Sequence, residues 1–191
     1  MVFKPAVAVF DACVLYPFHL RNILVQVAVD RLAEARWTDA IHEEWVRHLA
    51  AATPVIPRER WENIRRLMNE AVPTATVSGY QEHIQALVLP DPDDRHVLAA
   101  GIATRASLIL TWNLRDFPAS ELKKYGLRGQ TPDDFLAELY DQVPDLTVGS
   151  LSNARRNLSK THVSAMDFIE ILNKQNLVQL AKRMRRHLRR L

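Results

Sequence analysis

PAVAVFDACVL (Pro5–Leu15) decides how the rest of the chain is read. Its apolar, β-branched texture is that of a strand buried on both faces, with Asp11 standing just past the apolar core. Strands of that kind belong to parallel sheets and need helical crossovers. The pattern from Phe18 to Ala35 is helical, with Leu20, Ile23, Leu24, Val27 and Leu32 near 3.6 spacing. Thr38 or Asp39 caps a second helix through about Ala52, and Pro57 opens a third that ends at Pro73. ATVSG reads as a short strand and YQEHIQALVL as a helix or a helix-to-strand passage. A helix over Arg95–Arg105 precedes SLILTWN (Ser107–Asn113), a second buried strand. A short helix over SELKKYG, a last strand at LRGQ and a helix from Pro132 to about Gln142 complete the unit. The predicted fold is α/β: three layers around a parallel sheet, with a site beyond the carboxyl ends of its strands.

After Pro144 the texture changes. DLTVGSLSN reads as a linker, followed by helical stretches ending in NLVQLAKRMRRHLRRL. The expected division is residues 1–142 as the α/β unit and 143–191 as a basic helical extension. Charge follows it: residues 1–150 hold 15 Lys+Arg against 20 Asp+Glu, residues 151–191 hold 10 against 2. An acidic body with a basic tail suits an enzyme that gathers carboxylates in one place and meets a polyanion elsewhere. A solvated basic helix is the alternative reading of the tail. The chain has 191 residues and is 48% hydrophobic, enough for a core and against disorder. One cysteine, Cys13, excludes an internal disulfide and a zinc–cysteine cluster, and reads as a small buried apolar residue. No run resembles a signal peptide or a membrane span, so a cytoplasmic setting is expected.

The acids carry the chemistry. In LPDPDDRHVLAAG (Leu89–Gly101), Asp94 shares a helix face with Val97, Leu98 and Gly101 and so leans toward the sheet. Asp91 and Asp93 can supply the turn and cap. In the second helix Glu44 flanks the apolar stripe of Ile41, Trp45 and Leu49, whereas Glu43 lies nearly opposite. Thr111, Asn113 and Asp116 follow the second strand. Carboxylates crowded at one sheet end repel without a cation, and an all-oxygen set selects Mg²⁺ or Mn²⁺ over zinc. Such ions promote phosphodiester hydrolysis.

FDACVLYP, the EEW helix, DPDDRHVLAAG and TWNLRDF, in this order and spacing, resemble the PIN-domain ribonucleases, most closely the VapC-type toxins of bacterial toxin–antitoxin pairs. The resemblance runs from about Val2 to Gln142. It implies Asp11, Glu44, Asp94 and Asp116 as catalytic and metal-holding acids, with Thr111 and Asn113 in support. Family members often carry aspartate where Asn113 stands. The resemblance also implies Mg²⁺ or Mn²⁺, an RNA substrate, a homodimer and a small antitoxin protein. Arg95, Arg115 and Trp112 are candidate RNA contacts, and Asp91 and Asp93 candidate helpers. The rival reading is a PIN-like module that binds RNA or a partner protein without cutting. A haloacid-dehalogenase-type phosphatase is set aside because Cys13 stands where its second acid is needed.

Overall fold

The computed structural model describes residues 3–191, and of Lys160 the backbone alone. Met1 and Val2, at the head of the expected nuclease unit, lie outside the described residues. Four strands, β1 (Ala6–Phe10), β2 (Ala33–Arg36), β3 (Leu108–Leu110) and β4 (Arg128–Gln130), form one all-parallel sheet in the order β2-β1-β3-β4. Crossovers leave β1 toward one edge and β3 toward the other, so right-handed connections put helices on both faces. That reversal opens a crevice beyond the carboxyl ends of β1 and β3. The expected three-layer α/β/α architecture with C-terminal helices is what forms.

The first strand is shorter than the buried run suggests. It stops at Phe10, and Ala12–Leu15 turns into α1, capped by Asp11. Helix α2 (Phe18–Val29) also stops early. Arg31 takes a left-handed φ of 59°, and AEAR becomes the edge strand β2 rather than more helix. Alanine and glutamate favour helix, but pairing of Ala33–Arg36 with Ala6–Val9 overrides that preference and buries Ala33 and Ala35. Helix α3 (Asp39–Ala52) is capped by Thr38, and α4 is Arg58–Ala71. ATVSG forms no strand, only a parallel bridge from Thr76 to Trp37. Of YQEHIQALVL only α5 (Gln81–Ile84) is helical. Helix α6 (Arg95–Ala103) lies so close to the sheet side that a Cβ on Gly101 would come within 2.8 Å of Leu127. Then come α7 (Ala119–Lys123) and α8 (Pro132–Gln142).

The expected linker is helix α9 (Pro144–Arg156). Its small and polar residues look like a linker in sequence, but Thr147, Val148, Ser150, Leu151, Ser152 and Ala154 are buried. Small side chains let α9 approach α2 and α8 closely. Asn22 of α2 donates to the Ala154 carbonyl at 2.8 Å, and Asn157 donates to Gln26 at 2.9 Å. Helices α10 (Ala165–Lys174) and α11 (Val178–Met184) follow. The Asp133 carboxylate, at the start of α8, accepts from Gln179 N and Leu180 N and so caps α11. Arg183 pairs with Asp141 at the other end of α8. The two helices therefore run side by side in the same direction. Arg190 reaches Asp145, and Tyr140 bonds His187. The basic end of the chain thus lies at the amino end of the sheet, roughly 15 Å of helix away from the strand ends that carry the acids.

A buried polar chain steadies the middle of the molecule. Trp45 Nε1 donates to His42 Nδ1 at 2.9 Å, so His42 carries its proton on Nε2, 3.2 Å from Asn69 Oδ1. The same oxygen accepts from Trp37 Nε1 at 2.7 Å. Burial pushes the His42 imidazole down to about 4. Because the folded value lies below the ordinary 6.5, His42 stays neutral while the unfolded chain takes up a proton. Its contribution, roughly 3 kcal/mol, is full above pH 6.5 and is lost as pH falls from 6.5 toward 4. An NMR titration should show the His42 ring holding its neutral signals to about pH 4. Titration of the His42 ring near 6.5 would refute this.

Candidate active site

The crevice between β1 and β3 is built from the two strand ends outward. Asp11 is the first residue after β1 and is almost fully buried. Its carboxylate is held from three sides: by Ala12 N at 2.6 Å, by Thr111 Oγ1 at 2.7 Å from the end of β3, and by Cys13 Sγ at 3.1 Å. Asn113 N donates in turn to Thr111 Oγ1 at 2.9 Å, and Trp112 N to Cys13 Sγ at 3.3 Å. Cys13 is therefore not simply a small apolar residue, because its thiol links the two strand ends. Its spacing of two from Asp11, inside a helix that Asp11 caps, is the signal that points to it. Burial raises the Asp11 carboxyl above the usual range, against the hydrogen bonds that lower it.

Asp94 comes from a different direction. Asp91 accepts from Asp93 N at 2.9 Å and caps the short 3₁₀ turn Pro92–Asp94 that leads into α6. Asp93 points to solvent, while Asp94 is half-buried and faces the crevice acids. Its carboxyl is pushed up to about 7, first by burial and then by the charges of Asp11, Asp91, Asp116 and Glu44. Glu44 of α3 is half-buried, whereas its neighbour Glu43 is exposed and ion-paired to Arg58 at 2.6 Å. His96 Nε2 lies 3.6 Å from Glu44, a neighbour that its exposed-looking position in the sequence does not announce. Asp116 sits in the turn after β3, its N–H bonded to the Asn113 carbonyl at 3.0 Å.

Asp11, Glu44, Asp94 and Asp116 thus come from four separate elements to one end of the sheet. Among the described residues none of them pairs with lysine or arginine. Arg115 is exposed, Arg95 is half-buried with its Nε unpartnered, and Trp112 packs against the core with one side open. As the side chains stand, no three His, Cys, Asp or Glu groups among the described residues form a ready cage for a metal ion. The donors fit a hard cation in another way. Mg²⁺ keeps much of its water and takes one or two protein carboxylates, and uncompensated negative charge around Asp94 is what such an ion relieves.

A family model described as the PIN domain matches residues 7–115, the span that carries all the acids but Asp116. The chain belongs to the PIN-domain family. A second model, the VapC50 C-terminal domain, matches residues 132–186 of this PIN-domain protein, from the start of α8 through α11. One curated relative bears the name "Putative ribonuclease VapC50", from Mycobacterium tuberculosis (strain ATCC 25618 / H37Rv). It is 37% identical over 89 residues, 47% of this chain and 52% of the relative. The match therefore spans about half the length of that relative. No solved structure matches. No helix among the described residues is long and apolar enough to cross a membrane.

Proposed function

We propose that this PIN-domain protein is a metal-dependent endoribonuclease that cuts single-stranded regions of RNA and serves as the toxin of a toxin–antitoxin module. The observation that carries the reading is the meeting of Asp11, Glu44, Asp94 and Asp116, none of which is ion-paired to a lysine or arginine among the described residues. Asp11, Glu44, Asp94 and Asp116 would hold Mg²⁺ or Mn²⁺. When bound, the ion supplies charge to the phosphate and lowers the pKa of water. Asp11 is the fixed point, because Thr111, Cys13 and Ala12 lock both of its oxygens. Asp94 gains most from a cation, since its charged form is the least comfortable alone. Asn113 and the Asp91–Asp93 turn support the arrangement.

Arg95 and Arg115 flank the acids and would hold the RNA backbone, with Trp112 stacking on a base. The tail is a poor candidate for the same strand, because Arg183, Arg185 and Arg190 are paired to Asp141, Glu170 and Asp145 at the opposite end of the sheet. Residues 1–142 would form the nuclease unit and 143–191 the extension packed on it, in a cytoplasmic protein. The family reading brings a homodimer and a small antitoxin. An apolar groove of about 280 Å³ between α2 and α4, beside a Phe18 that is 57% exposed, supports a protein partner.

Purified full chain should cut single-stranded RNA when Mg²⁺ or Mn²⁺ is present, spare a matched duplex, and stop when EDTA is added. Equal cleavage in EDTA, or intact RNA with both metals, would refute the reading.

A further inference from the structure

On the Glu44 side of the acids lies a cavity of about 690 Å³, walled by Tyr16, Glu44, His48, Ala51, Ala52 and Asn113. It opens beside the cluster that the proposed function uses and shares Glu44, Asn113, Ala12 and Cys13 with it, while Tyr16, His48, Ala51 and Ala52 have no part in that chemistry. We propose that it is a nucleobase subsite: it takes the base of a nucleotide next to the scissile phosphate, and Asn113 and Tyr16 read that base. The inference rests on the ribonuclease reading and gives its substrate a sequence preference.

The walls choose the kind of occupant. No lysine or arginine lines the cavity, and Glu44 contributes a carboxylate. A phosphate would meet like charge there, so the occupant is a neutral group. The lining also holds the Ala51 and Ala52 methyls at the end of α3 and the Tyr16 and His48 rings. Flat, apolar-faced surroundings of this kind suit a ring that stacks. The polar groups suit one with an edge to read. Among the described residues the Asn113 amide and the Tyr16 hydroxyl make no hydrogen bond, and Asn113 is held through its backbone alone, its N–H donating to Thr111 Oγ1 and its carbonyl accepting from Asp116 N. An amide offers a donor and an acceptor side by side, which is what a base edge matches.

Position is fixed as firmly as it is for the acids. The Asn113 backbone is tied to Thr111, which is tied to Asp11. Tyr16 ends α1, and the buried Arg21 guanidinium donates to the Leu15 and Tyr16 carbonyls while lying 4.8 Å over the Trp45 ring. A base can reach the cavity only when unstacked, so the subsite favours single strands. The Asn113 side chain then has work as an amide that an aspartate would do badly, because a carboxylate has no donor and would add charge beside Glu44.

The test is cleavage of an RNA with randomised sequence around one single-stranded site, in Mn²⁺, with the cut ends sequenced. Wild type should show an enriched base at one position beside the cut. In Asn113→Ala and in Tyr16→Phe that enrichment should fall about tenfold, and in Tyr16→Phe the Mn²⁺ concentration for half-maximal rate should stay unchanged. Asn113 is exposed and Tyr16→Phe removes a single hydroxyl, so neither change threatens folding. Unchanged base preference in both variants would overturn the subsite while leaving the nuclease standing. A shifted Mn²⁺ requirement with unchanged preference would overturn it too, assigning Asn113 to metal support. Intact RNA with wild type in both metals would overturn the nuclease and the subsite together.

Discussion

Asp94→Asn is expected to lower metal-dependent RNA cleavage by at least about a hundredfold while leaving the protein no less stable. The two halves of that expectation have one cause. Asp94 is the acid on which burial and four other carboxylates converge, and its carboxyl stands at about 7 for that reason. In the apo protein the negative charge is a cost, and asparagine keeps the shape without it. Removing the repulsion should stabilise the metal-free fold by about 1 kcal/mol near pH 7.5, after allowance for solvent screening at a half-exposed group. The same charge is what a divalent ion would be held by, so activity and added stability on metal addition should both fall. Thermal melts with and without Mg²⁺ and a cleavage time course measure all three. Cleavage at the wild-type rate would remove Asp94 from the site. Lost activity with a large loss of stability would instead make it a structural residue.

Much of this geometry is legible in the sequence where helical period decides it. Glu44 and Glu43 differ by one position, yet 100° of rotation places Glu44 at the crevice and Glu43 on Arg58. Asp91, Asp93 and Asp94 separate in the same way, into a turn residue, a solvent residue and an inward acid. What stays hidden depends on contacts between distant segments. AEAR has no strand signal of its own and becomes β2 through pairing with β1. The Cys13–Trp112 and Thr111–Asp11 bonds span about a hundred residues of chain, so no local pattern announces them. The direction of the tail also escapes the sequence. Its charge suggests contact with a polyanion without saying where, and α11, set by the Asp133 cap, carries the arginines away from the acids.

Helix α9 offers the sharpest contrast between a local and a tertiary reading. In DLTVGSLSN, a linker would tolerate truncation of any leucine. As folded, Leu151 is fully buried and Leu146, one and a half turns earlier on the same helix, is 56% exposed. Leu151→Ala should therefore cost about 3 kcal/mol, the lost transfer energy plus the cavity left behind, and lower the melting temperature by roughly 10 °C for a chain of this size. Leu146→Ala should change stability by less than about 0.5 kcal/mol. The loss at Leu151 should be felt by the whole molecule, since α9 is bonded to α2 through Asn22 and Asn157, and α2 carries the Arg21 that holds the end of α1. A single cooperative transition, shifted down in Leu151→Ala and unmoved in Leu146→Ala, would place α9 in the common core. Equal melts for both variants would return the segment to a linker and detach the extension from the fold that presents Asp11.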